Sequence, residues 1–239
     1  MKINKLYTYP KSMRSVINGG RHYDIDGDKL PSVTTILSAC QSDEKKASLA
    51  AWKTRMGDKA AEEVRDTAAA KGTDMHTYLE HYLDGTGYKD LTILGKQAEV
   101  MANKIIEAGL GDLEELWGLE TTLYYPDLYA GATDVVGIYA GQPAIIDFKQ
   151  SNKPKRREWI LDYFEQLGAY AMAHNQVYGT KIQSGIVLMC TKDFLFQKFE
   201  VSGREFVRHQ HAFLRKVDQY YKNVSQAKQG QDTKNDQKV

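Results

Sequence analysis

The chain has 239 residues, of which 42% are hydrophobic and 26% charged, and a formal net charge of +1. That length supports one sizeable core, the composition excludes a wholly disordered chain, and no apolar run approaches the roughly 18 residues a membrane-spanning helix needs. The near-neutral sum does not exclude a polyanionic partner, because acidic residues gathered at one site can mask a basic groove in the total.

The opening Met1-Lys2-Ile3-Asn4-Lys5 has no apolar stretch and small-residue cleavage site behind it, so the expected setting is cytoplasmic, with no secretory signal and no membrane contact. Gly19-Gly20 and Asp26-Gly27 mark turns and predict a small hairpin around 21–24, making 1–30 an N-terminal hairpin or arm. Pro31-Ser32 reads as a helix start. Alanine-rich, charged segments over 44–70, then helical patterns over 73–83 and 95–108, make the portion 31–110 mostly helical. Cys40 and Cys190 match no metal spacing and are expected as buried thiols.

After Asp112 the pattern turns to strands, over 116–125, 129–139 and 144–148, each bounded by Pro, Gly or Asp. The segment 158–177 has helical periodicity, with Ile160, Phe164, Leu167 and Ala171 on one face. Strands near 186–189 and 194–201 and a helix over 204–222 follow. The polar stretch 224–239 has no apolar periodicity and is expected to be a disordered tail. Helices followed by three strands, a helix and two more strands describe an α/β fold, a central mixed sheet flanked by helices, in one domain over 31–223.

The chemistry concentrates in Ala144-Ile145-Ile146-Asp147-Phe148-Lys149, an apolar strand on which period-two alternation turns Asp147 and Lys149 to one face. Asp134 lies in a neighbouring run of small and β-branched residues, where a lone acid would be costly unless paired or bound to a cation. A turn through 140–143 would make the two strands a hairpin and let Asp134 and Asp147 converge. Repulsion between two close carboxylates is relieved by a hard divalent cation such as Mg²⁺ or Mn²⁺.

Four separated parts stand in order along the chain: Lys71-Gly72-Thr73-Asp74-Met75-His76, Gly131 to Asp134, Asp147 to Lys149, and Gln166 to Tyr170. Together they resemble the RecB-like branch of the PD-(D/E)XK nucleases over about 31–214. Arg21-His22-Tyr23, the run 30–37 and Gly72-Thr73 before His76 resemble the mitochondrial genome maintenance exonuclease group and its bacterial and phage relatives. The resemblance implies a restriction-endonuclease-like core and hydrolysis of DNA phosphodiester bonds. It implies that His76, Asp134 and Asp147 bind a metal, with the Phe148 carbonyl as a further ligand and Glu120 as the upstream acid. Lys149 would then work at the scissile phosphate, with Gln166 and Tyr170 orienting it, and Glu80 would support His76 from behind. Candidate DNA contacts are Ser32 and Thr34 at a helix start and Ser151, Lys153 and Arg156 after the catalytic strand, with Trp159, Tyr78 and Tyr82 as base-stacking candidates.

The implied partner is single-stranded DNA with a free end. An endonuclease or a double-strand-specific exonuclease on the same core remains open, as does a non-catalytic nucleic-acid-binding module, although such a module would be expected to lack one of His76, Asp134, Asp147 or Lys149. An iron–sulfur nuclease is disfavoured because that cluster takes four cysteines and the chain has two. A small-molecule α/β enzyme is disfavoured by the lack of a phosphate-binding glycine loop or a nucleophile elbow. The lack of an evident Arg- and Ser-rich transit segment favours a bacterial protein, or a phage protein in its host's cytoplasm, over a mitochondrial one. Oligomeric state is left open.

Overall fold

Short turn signals and β-branched alternation set the architecture. The computed structural model describes residues 1–236, and 237–239, the end of the expected polar tail, lie outside the described residues. In chain order the elements are β1 (Lys2–Ile3), β2 (Met13–Ile17), β3 (Gly20–Ile25), β4 (Asp28–Pro31), α1 (Val33–Ala39), α2 (Asp43–Met56), α3 (Asp58–Asp84) and α4 (Ile93–Gly109). They continue with β5 (Leu113–Tyr125), β6 (Tyr129–Tyr139), β7 (Gln142–Ser151), α5 (Leu161–Tyr178), β8 (Ser184–Thr191), β9 (Phe196–Ser202) and α6 (Gly203–Asp236). Single 3-10 turns precede β5 and α5.

The main sheet has six strands in the order β1-β5-β6-β7-β8-β9, with β5, β6 and β7 antiparallel and β7 parallel to β8, so the expected central mixed sheet flanked by helices is present. β7 shows how the alternation builds three layers. Ala144, Ile146 and Phe148 enter the core against α3 and α4, while Ile145 joins the core under α5 and α6. Burying a side chain such as Phe148 contributes roughly 1.5–3 kcal/mol. α5 lies between the sheet and α6, and its whole central run from Phe164 to Ala171 is buried.

The β6–β7 turn is Ala140-Gly141, with φ of 47° and 74°, the two-residue form whose twist suits a hairpin. The same geometry recurs at Asn18-Gly19 and Asp26-Gly27, so residues 13–31 form a separate three-stranded sheet rather than one hairpin. This sheet is anchored on β6, where the Tyr23 hydroxyl accepts from the Ala132 N–H at 3.3 Å and Ser32 bridges to Ala130.

Three expectations need correction. α3 begins at Asp58, because Gly72 sits inside the helix at ordinary contact distance from Gln150 instead of breaking it. α6 runs past Lys222 to Asp236, so the tail expected to be disordered from 224 is helical where it is described. Gln226, Ala227 and Gln229 favour a helix without needing an apolar face. Cys190 is buried as expected, but Cys40 is only half-buried, its thiol donating to the Lys216 carbonyl. Among the described residues no helix is long and apolar enough to cross a membrane.

Candidate active site

The β6–β7 ladder ends at Val135↔Ile146, so Asp134 and Asp147 stand at its open end. There the Phe148 N–H, no longer needed by that ladder, donates to Asp134 Oδ2 at 2.6 Å. On the other side of β6, the pairs Leu119↔Val135 and Thr121↔Thr133 bracket Glu120 and set it opposite Asp134. Glu120 has φ of 47° within a strand, a conformation uncommon for a residue with a side chain and concentrated at functional sites.

α3 delivers His76 to the same point. Its Nδ1 lies 3.3 Å from Asp134 Oδ1 and 3.9 Å from Glu120 Oε1, and its ring meets the Phe148 ring edge-on at 6.0 Å. One ligand atom from each of His76, Glu120 and Asp134 falls within 4.8 Å of the others. Burial works against a charged imidazole, but Asp134 and then Glu120 outweigh it and lift His76 to about 10. A proton on the ring therefore provides the compensation a cation would provide. One imidazole nitrogen with two carboxylates, and no thiolate, is a donor set that suits a hard or borderline divalent ion. Glu80, one turn beyond His76, is raised by burial and then by the charge of Glu120, which places it on the same side.

Asp147 is 3% exposed and is not part of that triad. Its Oδ2 is ion-paired with Lys149 Nζ, and its Oδ1 accepts from Gln166 Nε2 at 3.4 Å. Burial pushes its carboxyl up to about 6 despite Lys149. Asp134 feels the same burial, yet His76 and Lys149 hold it below its ordinary value. Lys149 keeps its charge because Asp147 and Asp134 together outweigh desolvation, and its ammonium lies 5.2 Å over the Tyr163 ring. Gln166 also donates to the Tyr170 hydroxyl at 3.2 Å.

Gly131 is needed for this arrangement, since a Cβ there would lie 2.8 Å from Tyr170 Cε1 and 3.0 Å from its hydroxyl oxygen. Gly131→Ala is therefore expected to destabilise the fold by about 1–3 kcal/mol in denaturant titration, as overpacking of a buried ring does. It should also lower turnover, because the displaced hydroxyl is the one Gln166 reaches. Unchanged stability would mean that the ring yields at no cost.

A cavity of about 210 Å³ holds Ser32, Thr34, His76, Glu120, Asp134, Asp147, Lys149, Gln166 and Tyr170 in its wall. The structure thus brings the expected centre together, with Phe148 contributing its N–H to Asp134 and its ring to the core. The expected DNA contacts divide. Thr34 is exposed at the cavity, whereas the buried Ser32 caps α1 by accepting the Thr35 N–H at 2.9 Å. Ser151 is turned into its own loop, donating to the Lys153 carbonyl at 2.7 Å, and Ser151, Lys153 and Arg156 are not in the cavity wall. Tyr78 is buried, its hydroxyl accepting the Asp90 N–H, while Trp159 is 57% exposed with Arg156 5.2 Å over its ring. Arg14, which stands in none of the motifs, and Arg21, which stands only in the Arg21-His22-Tyr23 run, both line the cavity. The β2–β3 register, which the structure sets, is what turns them to the cavity.

No family model matches the chain. It is 29% identical over 177 residues to mitochondrial genome maintenance exonuclease 1 of Homo sapiens, covering 69% of this chain and 50% of that protein. To the protein of the same name from Xenopus tropicalis it is 29% identical over 178 residues, covering 69% and 49%. The chain spans about half the length of the curated relatives it matches. A crystal structure from Eubacterium rectale overlays with a TM-score of 0.49 at 16% identity, over 67% of this chain and 68% of that one, too loosely to carry an argument.

Proposed function

We propose, from the relationship of this chain to the mitochondrial genome maintenance exonucleases and the PD-(D/E)XK pattern it carries, that it is a metal-dependent exonuclease acting on single-stranded DNA from a free end. The process it serves is DNA replication, recombination or repair. The observation that carries this reading is the convergence of His76, Glu120 and Asp134 with the Asp147–Lys149 pair on one cavity.

His76, Glu120 and Asp134 would hold the ion, with Asp147 and the Phe148 carbonyl as the further ligands the resemblance implies. When bound, Mg²⁺ or Mn²⁺ supplies positive charge that polarises the phosphoryl group. Hydrolysis adds water to phosphorus and breaks its bond to the departing sugar oxygen, so negative charge gathers on the phosphoryl oxygens. Lys149 meets that charge from a fixed position, held by Asp147 and by the Tyr163 face. Gln166 holds Asp147, and Tyr170 holds Gln166, so neither carboxylate nor ammonium has to reorganise as the charge builds.

The preference for a single strand is supported by the shape beside Lys149. A second cavity of about 1050 Å³ starts at Lys149 and Gln166 and runs past Trp159 between α1–α2 and the start of α5. An unpaired strand fits such a passage with its bases stacked on an exposed indole, whereas a duplex needs a wider groove. Rates on a linear single strand, the same strand circularised and a blunt duplex test the assignment. The linear strand is expected to be degraded fastest and the circle not at all. Equal loss of the circle would remove the end requirement, and a faster duplex reaction would remove the single-strand preference.

A further inference from the structure

The small sheet β2–β4 presents two arginines to the cavity that, among the described residues, lack a carboxylate partner. The β2–β3 ladder pairs Arg14 with Tyr23 and Val16 with Arg21, which puts Arg14, Arg21 and Tyr23 on one face. Tyr23 is 2% exposed and fixes that face against β6 through the Ala132 N–H, two residues before Asp134. The Arg14 guanidinium lies 5.6 Å over the Tyr23 ring, and Arg14 and Arg21 share the cavity wall with Glu120, Asp134, Asp147 and Lys149. Three carboxylates are thus close by, yet among the described residues neither arginine forms an ion pair or donates a side-chain hydrogen bond. The carboxylates are already engaged with His76 and Lys149.

We infer that Arg14 and Arg21 form a clamp for the phosphodiester next to the one being cleaved. This rests on the reading of the chain as a DNA-cleaving enzyme. A guanidinium presents its donors as a planar fork that matches two phosphate oxygens, and stacking on Tyr23 holds Arg14 in place before the strand arrives. The cleaved phosphate belongs to Lys149 and the His76–Glu120–Asp134 donors. Arginines offset toward the small sheet therefore meet a neighbouring linkage. Contacts of this kind read backbone charge and not base identity, so the clamp would position any sequence alike.

The test is steady-state cleavage of end-labelled single-stranded oligonucleotides carrying one uncharged methylphosphonate, moved through the first four linkages from the attacked end. Arg14→Gln and Arg21→Gln are expected to raise KM about 5–20-fold with kcat changed less than threefold, while Arg14→Lys and Arg21→Lys keep part of the affinity. In the double Gln variant the salt dependence of KM should weaken, by a log–log slope of about 0.7 for the one phosphate no longer neutralised on a single strand. One methylphosphonate position should raise KM for the wild type and not further for the double variant. A double variant with unchanged KM and salt slope, or a neutral linkage that penalises both proteins equally, would overturn the clamp. If the wild type cleaves none of these strands, the proposed activity fails first, which separates the two failures. Both arginines are exposed, so thermal melts of the variants should overlay the wild type.

Discussion

Asp147→Asn is expected to reduce cleavage by about a thousandfold or more, equivalent to at least ~4 kcal/mol of transition-state stabilisation, while affinity for a single-stranded oligonucleotide stays within a few fold. The amide keeps the shape and can still accept from Gln166, but it no longer holds Lys149 by charge or adds a negative oxygen beside the His76–Glu120–Asp134 donors. Some stability is expected to be lost as well. The buried Lys149 ammonium loses the carboxylate paired with it, and only Asp134 remains to offset its desolvation. Loss of activity with a lowered but still cooperative melting transition and retained DNA binding by fluorescence anisotropy is the expected pattern. Cleavage at the wild-type rate would remove Asp147 from the centre.

Lys149→Ala is expected to lower kcat by about 10²–10³-fold, the usual loss when one preorganised charge or donor facing the developing negative charge is removed. Its ammonium is held between Asp147 and the Tyr163 ring, so its position is set before substrate binds. Because Lys149 is not one of the three donors that cluster within 4.8 Å, cation affinity measured by calorimetry should change little. A variant whose kcat is unchanged would make Lys149 a structural partner of Asp147 and nothing more. Lys149→Arg separates charge from geometry: it keeps the cation but replaces a compact ammonium with a wide fork in a tight site, so it should recover only part of the loss.

Period-two alternation and the Ala140-Gly141 turn are local properties, and for that reason the facing of Asp134, Asp147 and Lys149 was legible in the sequence. The helical pattern around Gln166 and Tyr170 was legible for the same reason. His76 was legible only through the order of the motifs, since no local signal brings α3 to the end of β6. Glu120 was legible only through the resemblance, as the upstream acid, and the β5–β6 register is what sets it opposite Asp134. The helical patterns over 44–70 and 73–83 left 71–72 out, yet α3 continues through Gly72, because burial of the following turns through Met75, Leu79 and Leu83 outweighs one glycine. The hydroxyls of Ser32 and Ser151 read as free donors because composition cannot show that capping and turn bonds already use them. Arg14 gave no signal at all. An arginine in a short exposed strand is ordinary, and what distinguishes it is the carboxylate cluster across the cavity.

Cleavage of an end-labelled linear single strand in Mg²⁺, in Mn²⁺ and in excess chelator tests the central claim most directly. The account predicts stepwise shortening from the end with either cation, no cleavage in chelator, and full recovery when the cation is restored. Equal cleavage in chelator, or none under any condition by a protein with a cooperative melting transition, would contradict it.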